Sequence, residues 1–347
     1  MRHRLISALL VCLTACCALS AWALCPVVFN CGGINDYGMV TPRTIKPGAK
    51  IAIITPSSAV DSLKLDSALR NITALGFQPV VMDHVFGSSY GKQTSPDSAR
   101  AADIMRAFAD PEIDAILCSR GGYGSTRLLP MLDGDVIISN PKWLIGYSDI
   151  SALHAYLQGL GMVSMHGPIG TDYAKTPLKE GCALLIEMLL QGPQHRYELQ
   201  LDEHNKPGEA TGMLIGGNLS VVDGSISTPY DIYAATDGKD VIIFLEDVDE
   251  NIDSVERLLL RLHLNGVLQR AKGLVFGEFT DYEPEKHFQT MEDMIRTRLT
   301  DWGYYDKQDF PILYNFPAGH GNPNFPLPLG SKVTLTVTPE QSTLAID

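Results

Sequence analysis

The sequence predicts an α/β fold with an open, doubly wound, mostly parallel sheet, and two observations carry that expectation. Short apolar runs, Ile51-Ala52-Ile53-Ile54, Pro79-Val80-Val81-Met82 and Ala115-Ile116-Leu117-Cys118, alternate with stretches of helical apolar spacing at 63–75 and 99–108. The runs are continuous rather than alternating in polarity, as in strands that helices bury on both faces. Trp143-Leu144-Ile145-Gly146, then Ile150, Leu153, His154 and Leu157 at i, i+3, i+4 and i+7, then Val163-Ser164-Met165 continue the pattern. An N-terminal α/β domain over 50–190 follows.

The stretch 191–210 turns polar and carries Pro and Gly, which reads as a linker. Beyond it, Met213-Leu214-Ile215, the run 241–245, a helix through Val255, Leu258, Leu259 and Leu262, and strands near 274–276 and 312–314 predict a smaller C-terminal α/β domain over 211–347. Residues 333–337 and 343–346, on either side of Pro339-Glu340-Gln341-Ser342, read as its closing β-hairpin. A length of 347 residues agrees with about two domains.

At the N-terminus, basic Met1-Arg2-His3-Arg4 precedes an apolar stretch at 5–15, the make-up of a signal peptide over 1–23. Ala21-Trp22-Ala23 offers one cleavage site, and Leu13-Thr14-Ala15-Cys16 resembles a lipoprotein box that would anchor the chain at Cys16. Both routes export the chain, to the periplasm or otherwise out of the cytoplasm. The apolar residues that would follow Cys16 favour the first. Residues 24–49 form a Pro-, Gly- and Asn-rich lead-in, where Cys25 and Cys31 stand close enough for a small loop disulfide. No later stretch is both long and apolar enough to span a bilayer. A net charge of −13 with no basic run leaves nucleic acid no electrostatic footprint.

Four places in the chain can carry chemistry. Ser148 follows an apolar strand at a small-residue corner before a helix, so its hydroxyl can stand at the sheet edge with the Asp149 N–H placed to stabilise an oxyanion. The local sequence alone favours the plainer reading of Ser148 as a helix N-cap, and the second glycine of a G-x-S-x-G elbow is replaced by Ile150. Ser119-Arg120-Gly121-Gly122-Tyr123-Gly124 also follows a strand, and its glycines can present N–H groups to an anion or simply make a tight turn. Cys118 lies inside the apolar run and reads as core. Glu246 is the first polar residue after the run at 241–245, where a carboxylate can orient a histidine; Asp247, Asp249 and Glu250 read as a solvated turn. His320, between Gly319 and Gly321 on a loop, is the candidate base, with His166 second and His154 at core spacing. No two histidines have zinc-peptidase spacing, so no metal is expected, and no nucleotide loop is present.

In chain order, Arg120-Gly121-Gly122-Tyr123-Gly124, Gly146-Tyr147-Ser148-Asp149, His166-Gly167-Pro168, Gly216-Gly217-Asn218-Leu219-Ser220, Leu245-Glu246-Asp247-Val248 and Gly319-His320 together resemble the LD-carboxypeptidase (muramoyltetrapeptide carboxypeptidase) family of serine peptidases. The resemblance covers about 51–330. It implies a nucleophile at Ser148, a carboxylate at Glu246 with Glu250 as fallback, and a base at His320. It also implies an oxyanion hole from the N–H groups of Asp149 and the Gly121/Gly122 turn, Asn218 lining the site, and a homodimer. The implied reaction removes the terminal D-Ala from a peptidoglycan tetrapeptide by serine hydrolysis, which requires no cofactor. Related microcin C immunity peptidases share the resemblance, and an exported solute-binding protein is the competing class.

Overall fold

The computed structural model describes residues 31–87 and 91–347. The signal segment, Cys16 and Cys25 lie outside the described residues, and so does the expected Cys25–Cys31 pairing. The lead-in forms a hairpin of β1 (Cys31–Ile34) and β2 (Val40–Pro42). It wraps the fold, because Val40 exchanges backbone hydrogen bonds with Gly161 and Val163 while the Asn35 amide donates to the Gly330 carbonyl at 2.8 Å.

The alternation read from the sequence then follows: β3 (Lys50–Ile54), α1 (Ser62–Ala74), β4 (Gln78–Val81), α2 (Asp97–Ala109), β5 (Ala115–Cys118), α3 (Gly134–Ser139), β6 (Trp143–Gly146), α4 (Ser151–Gly159), β7 (Ser164–His166) and α5 (Glu180–Gln191). Strands β4, β3, β5, β6 and β7 lie side by side in that order, all parallel. Local sequence explains the elements. Asp61 caps α1 by accepting the Lys64 N–H at 3.0 Å, and Leu65, Ala68 and Ile72 form its buried stripe. Every residue of β5 and β6 is buried, which is why those runs are continuous.

The second half continues with β8 (His195–Leu199), β9 (Gly208–Asn218), α6 (Leu219–Asp223), α7 (Ile232–Ala235), β10 (Val241–Val248), α8 (Ile252–Leu264), α9 (Val267–Arg270), β11 (Ala271–Thr280), α10 (Met291–Asp301), β12 (Ile312–Leu313), β13 (Leu327–Leu329), β14 (Lys332–Val337) and β15 (Ser342–Ile346). Seven of these strands form a sheet in the order β12-β11-β10-β9-β14-β15-β8, parallel from β12 to β9 and antiparallel beyond. The closing hairpin is β14–β15, with Val333 opposite Ile346. The stretch 191–210 contains a strand: β8 pairs with β15 along the sheet edge, and its alternating exposure makes an edge strand look like a polar connection. The two sheets also share chain, since β13 leaves the second half to pair antiparallel with β7. Among the described residues, no helix is long and apolar enough to cross a membrane.

Two features of this topology position a site. Strand β3 lies between β4 and β5, so the chain leaves it toward opposite sides, and such a switch point opens a crevice at the carboxyl ends of the strands. At the end of β9, Gly216 has φ 120° beside β10, where an added Cβ would stand 1.9 Å from the Phe244 carbonyl oxygen. Gly216→Ala is therefore expected to destabilise the protein by about 2–5 kcal/mol, from backbone strain and overpacking together. Urea unfolding measures this, and a loss below about 1 kcal/mol would show that the backbone relaxes there.

Candidate active site

The corner after β6 begins with Tyr147 in extended backbone and continues with Ser148 at φ 66°, a left-handed conformation that costs a non-glycine residue about 1–3 kcal/mol. Its surroundings hold it there. The next residue, Asp149, is buried, and its carboxylate accepts from the Ser57 hydroxyl and from the Ser125 N–H at 2.9 Å, while its carbonyl accepts from the Ser125 hydroxyl. Ile150 takes the place of the elbow's second glycine by packing on Gly146, where a Cβ would stand 3.0 Å from its side chain. The N-cap alternative for Ser148 fails: neither the short 3-10 turn Ser148–Ile150 nor α4 has a side-chain cap. Ser148 instead lines a cleft of about 670 Å³.

The Gly121-Gly122 turn forms the facing wall of that cleft. Residue 121 must be glycine because a Cβ there would lie 2.8 Å from Ser148 Cβ and 3.1 Å from Ser148 Oγ. Gly122, at φ 121°, leaves room for Ser58, whose Oγ would be 2.3 Å from an added Cβ. Among the described residues, neither N–H of this pair makes a hydrogen bond.

The second sheet supplies the rest of the site. Glu246, fully buried in β10, accepts a hydrogen bond from His320 Nδ1 at 2.8 Å, which leaves His320 Nε2 for the cleft that the ring lines. The geometry sets the two acids apart, and the two histidines. Glu250 is not the partner of His320. His166 is fully buried within β7, with neither ring nitrogen hydrogen-bonded, against Phe244 at 5.0 Å between ring centroids. His154 is a core residue, bonded to Ser164 Oγ and the Gly146 carbonyl, each at 2.8 Å, and burial lowers its pKa to about 4. Burial pushes the His320 pKa down, but the hydrogen bond and charge of Glu246, with Asp247 and Asp281, outweigh it and leave the value raised. Among the described residues, no hydrogen bond joins Ser148 to His320; such bonds tighten when substrate is in place.

Asn218 does not line the cleft. It is buried at the end of β9, where its N–H donates to Ser151 Oγ at 2.9 Å and its amide to Asp247 Oδ1 at 2.9 Å. Asp247 is likewise buried rather than solvated. Burial drives the Cys118 thiol pKa upward, as core placement requires. Sequence reasoning missed the Asp149 side chain and its partners Ser57 and Ser125. It also missed Glu278, whose pKa is raised by burial and by the charge of Glu246, and Asn324, whose side-chain amide oxygen accepts the Gly319 N–H at 3.0 Å. The only local signal for these was the run of small polar residues after β3, since their partners are remote in sequence.

Comparison with known proteins gives this geometry a context. Residues 51–167 match the LD-carboxypeptidase N-terminal domain and residues 211–335 the LD-carboxypeptidase C-terminal domain. The chain is 32% identical to the "Probable murein peptide carboxypeptidase" of Bacillus subtilis over 85% of its own length and 91% of that protein. It is also 32% identical to the murein tetrapeptide carboxypeptidase of Pseudomonas aeruginosa, over 82% and 92%. The crystal structure of muramoyltetrapeptide carboxypeptidase from Oxalobacter formigenes superposes with a TM-score of 0.76 at 26% identity, covering 86% of this chain and 98% of that one.

The electrostatics yield a direct expectation. The His320 imidazole should titrate above the ordinary value of 6.5, and Glu246→Gln, which removes the raising partner but not the burial, should move its midpoint to lower pH. NMR titration of the histidine ring signals measures both; a midpoint unmoved by Glu246→Gln would show that another group sets it.

Proposed function

The chain belongs to the LD-carboxypeptidase family, and on that premise we propose that it removes the terminal D-alanine from tetrapeptide stems of peptidoglycan, with Ser148 as nucleophile, His320 as base and Glu246 as orienting carboxylate. It is a serine-type peptide hydrolase, a carboxypeptidase acting on peptidoglycan peptides. One observation supports the residue assignment above the others: Ser148, in a left-handed turn at the end of one sheet, shares a cleft with His320, whose Nδ1 is held by a buried carboxylate from the other sheet.

The mechanism follows from these positions. Ser148 Oγ attacks the carbonyl of the L-centre of the meso-diaminopimelate or lysine residue, and His320 Nε2 takes the proton while Glu246 holds the Nδ1–H tautomer. The N–H groups of Asp149, Gly121 and Gly122 receive the negative charge that develops on the carbonyl oxygen. As the tetrahedral intermediate collapses, His320 returns the proton to the leaving amine, and D-alanine departs. Water, deprotonated by His320, then hydrolyses the ester on Ser148 to leave a tripeptide stem. Export belongs to the same reading, supported by the basic and apolar make-up of 1–23, and would bring the enzyme to peptidoglycan or its released fragments. The family resemblance extends the reading to a homodimer.

Mass spectrometry of a tetrapeptide muropeptide incubated with the protein tests the proposal. The wild type should release one D-alanine, and Ser148→Ala should lower turnover by at least about 10⁴-fold. Release at equal rates by both proteins, or by neither, would sink the assignment. Gly121→Ala, whose new Cβ falls 2.8 Å from that of Ser148, should lower kcat by about 10²-fold or more with circular dichroism unchanged. Full activity in that variant would remove the turn from the oxyanion hole.

A further inference from the structure

A carboxypeptidase must reward a free terminal carboxylate over an internal peptide bond, and the triad and oxyanion donors do not do this, because they meet only the scissile amide. The carboxylate carbon of the departing residue lies about 2.5 Å beyond the scissile nitrogen, so its receptor has to line the same cleft as the serine and histidine. Arg120 is the residue immediately before Gly121, and its side chain lines the cleft with Ser148 and His320.

Arg120 also has capacity to spare. Its guanidinium makes one hydrogen bond, from Nη1 to the Ala59 carbonyl at 3.1 Å, and among the described residues no carboxylate lies within ion-pair distance. In a chain of net charge −13, this half-buried arginine makes no direct ion pair among the described residues. The cleft continues past it. A second lobe of about 420 Å³, lined by Ser58, Ala59, Lys92, Arg120, Gly122 and Tyr123, holds two cations and no acid among the described residues. The main lobe, by contrast, is lined by Asp61, Asp172 and Asp249 as well as by Lys64 and Arg120. Arg120 and Gly122 are common to both lobes, and Ser148 and His320 line the main one. Lys64 is exposed on the first turn of α1 and Lys92 reaches only the second lobe, and neither presents the planar fork that matches a carboxylate with two parallel hydrogen bonds.

We infer that Arg120 receives the free carboxylate of the residue being released, at the mouth of the second lobe, and thereby makes the cleft an exopeptidase site. The inference rests on the hydrolytic reading of the cleft and adds to it the group that selects chain ends. The stem's other carboxylates are the rival source of the same chemistry, and substrates that differ only at the terminus separate them.

The test compares kcat/KM for the tetrapeptide with that for its C-terminal carboxamide. The wild type should prefer the acid by about 10²-fold. Arg120→Ala should bring the two within about threefold of each other, chiefly by lowering kcat/KM for the acid. Arg120→Lys, which keeps the charge but not the fork, should retain about a tenth of the wild-type preference. Should Arg120→Ala lose both activities through misfolding, the lysine variant decides, and an unchanged preference in it overturns the inference. An alanine variant that lowers both rates but keeps the wild-type preference assigns Arg120 to structure, and a wild type indifferent to the amide removes carboxylate selection while leaving the peptidase reading intact. A wild type that cleaves no tetrapeptide removes the hydrolytic reading, and this inference with it.

Discussion

The site depends on how closely the second sheet approaches the first at Gly217. At φ 137°, this residue would place a Cβ 2.6 Å from Ser151 Oγ, so only glycine allows the end of β9 to reach the first turn of α4. There the Asn218 N–H meets Ser151 Oγ, and Ser151 is three residues beyond the nucleophile candidate. The Asn218 amide continues to Asp247, next to Glu246, which holds His320. A continuous set of hydrogen bonds and chain therefore runs from the serine corner to the imidazole, across the junction between sheets. A side chain at 217 would push the two halves of the site apart, and geometry looser by an ångström is enough to cost a catalytic constellation much of its rate.

That junction concentrates buried acid, and each group is stabilised in its own way. Asp149 and Asp247 are satisfied by donors that surround them, backbone N–H groups among these. Glu246 is different, since among the described residues its Oε1 is buried without a partner and its Oε2 meets only His320. Burial, then the charge of Glu246, raises the pKa of both Asp247 and Glu278, so the cluster resists further negative charge and draws a positive imidazole toward it. The sign follows from the raised His320 value. Stabilisation from the pair is complete below the ordinary 6.5 and fades as pH rises through the folded value. A general base works as neutral imidazole, so the role proposed for His320 and the stability of the pair favour different ends of that range.

The residues that sequence reading left undecided were those whose surroundings come from far along the chain. His166 looks like a loop residue before Gly167-Pro168, yet Leu327 of β13 pairs opposite it and Phe244 packs on its ring. Glu246 and Glu250 share one short segment, and only the backbone direction at the end of β10 aims the first, not the second, at His320. The polarity of 191–210 is that of an edge strand, which cannot be told from a linker until β15 is seen beside it.

What the sequence determined by itself was local and periodic: continuous apolar strands, helical stripes, the small-residue corners at 121–122 and 146–149, and an acid and a histidine at the ends of later strands. These follow from burial and backbone geometry within a dozen residues, so composition and spacing reveal them. Tertiary structure decided which corner serine is uncapped, which acid meets which imidazole, and that Asn218 braces the site rather than lines it. Those outcomes rest on hydrogen bonds between groups roughly 30 to 90 residues apart or more, such as Ser57 with Asp149 and Glu246 with His320, whose geometry exists only once both sheets have formed and met.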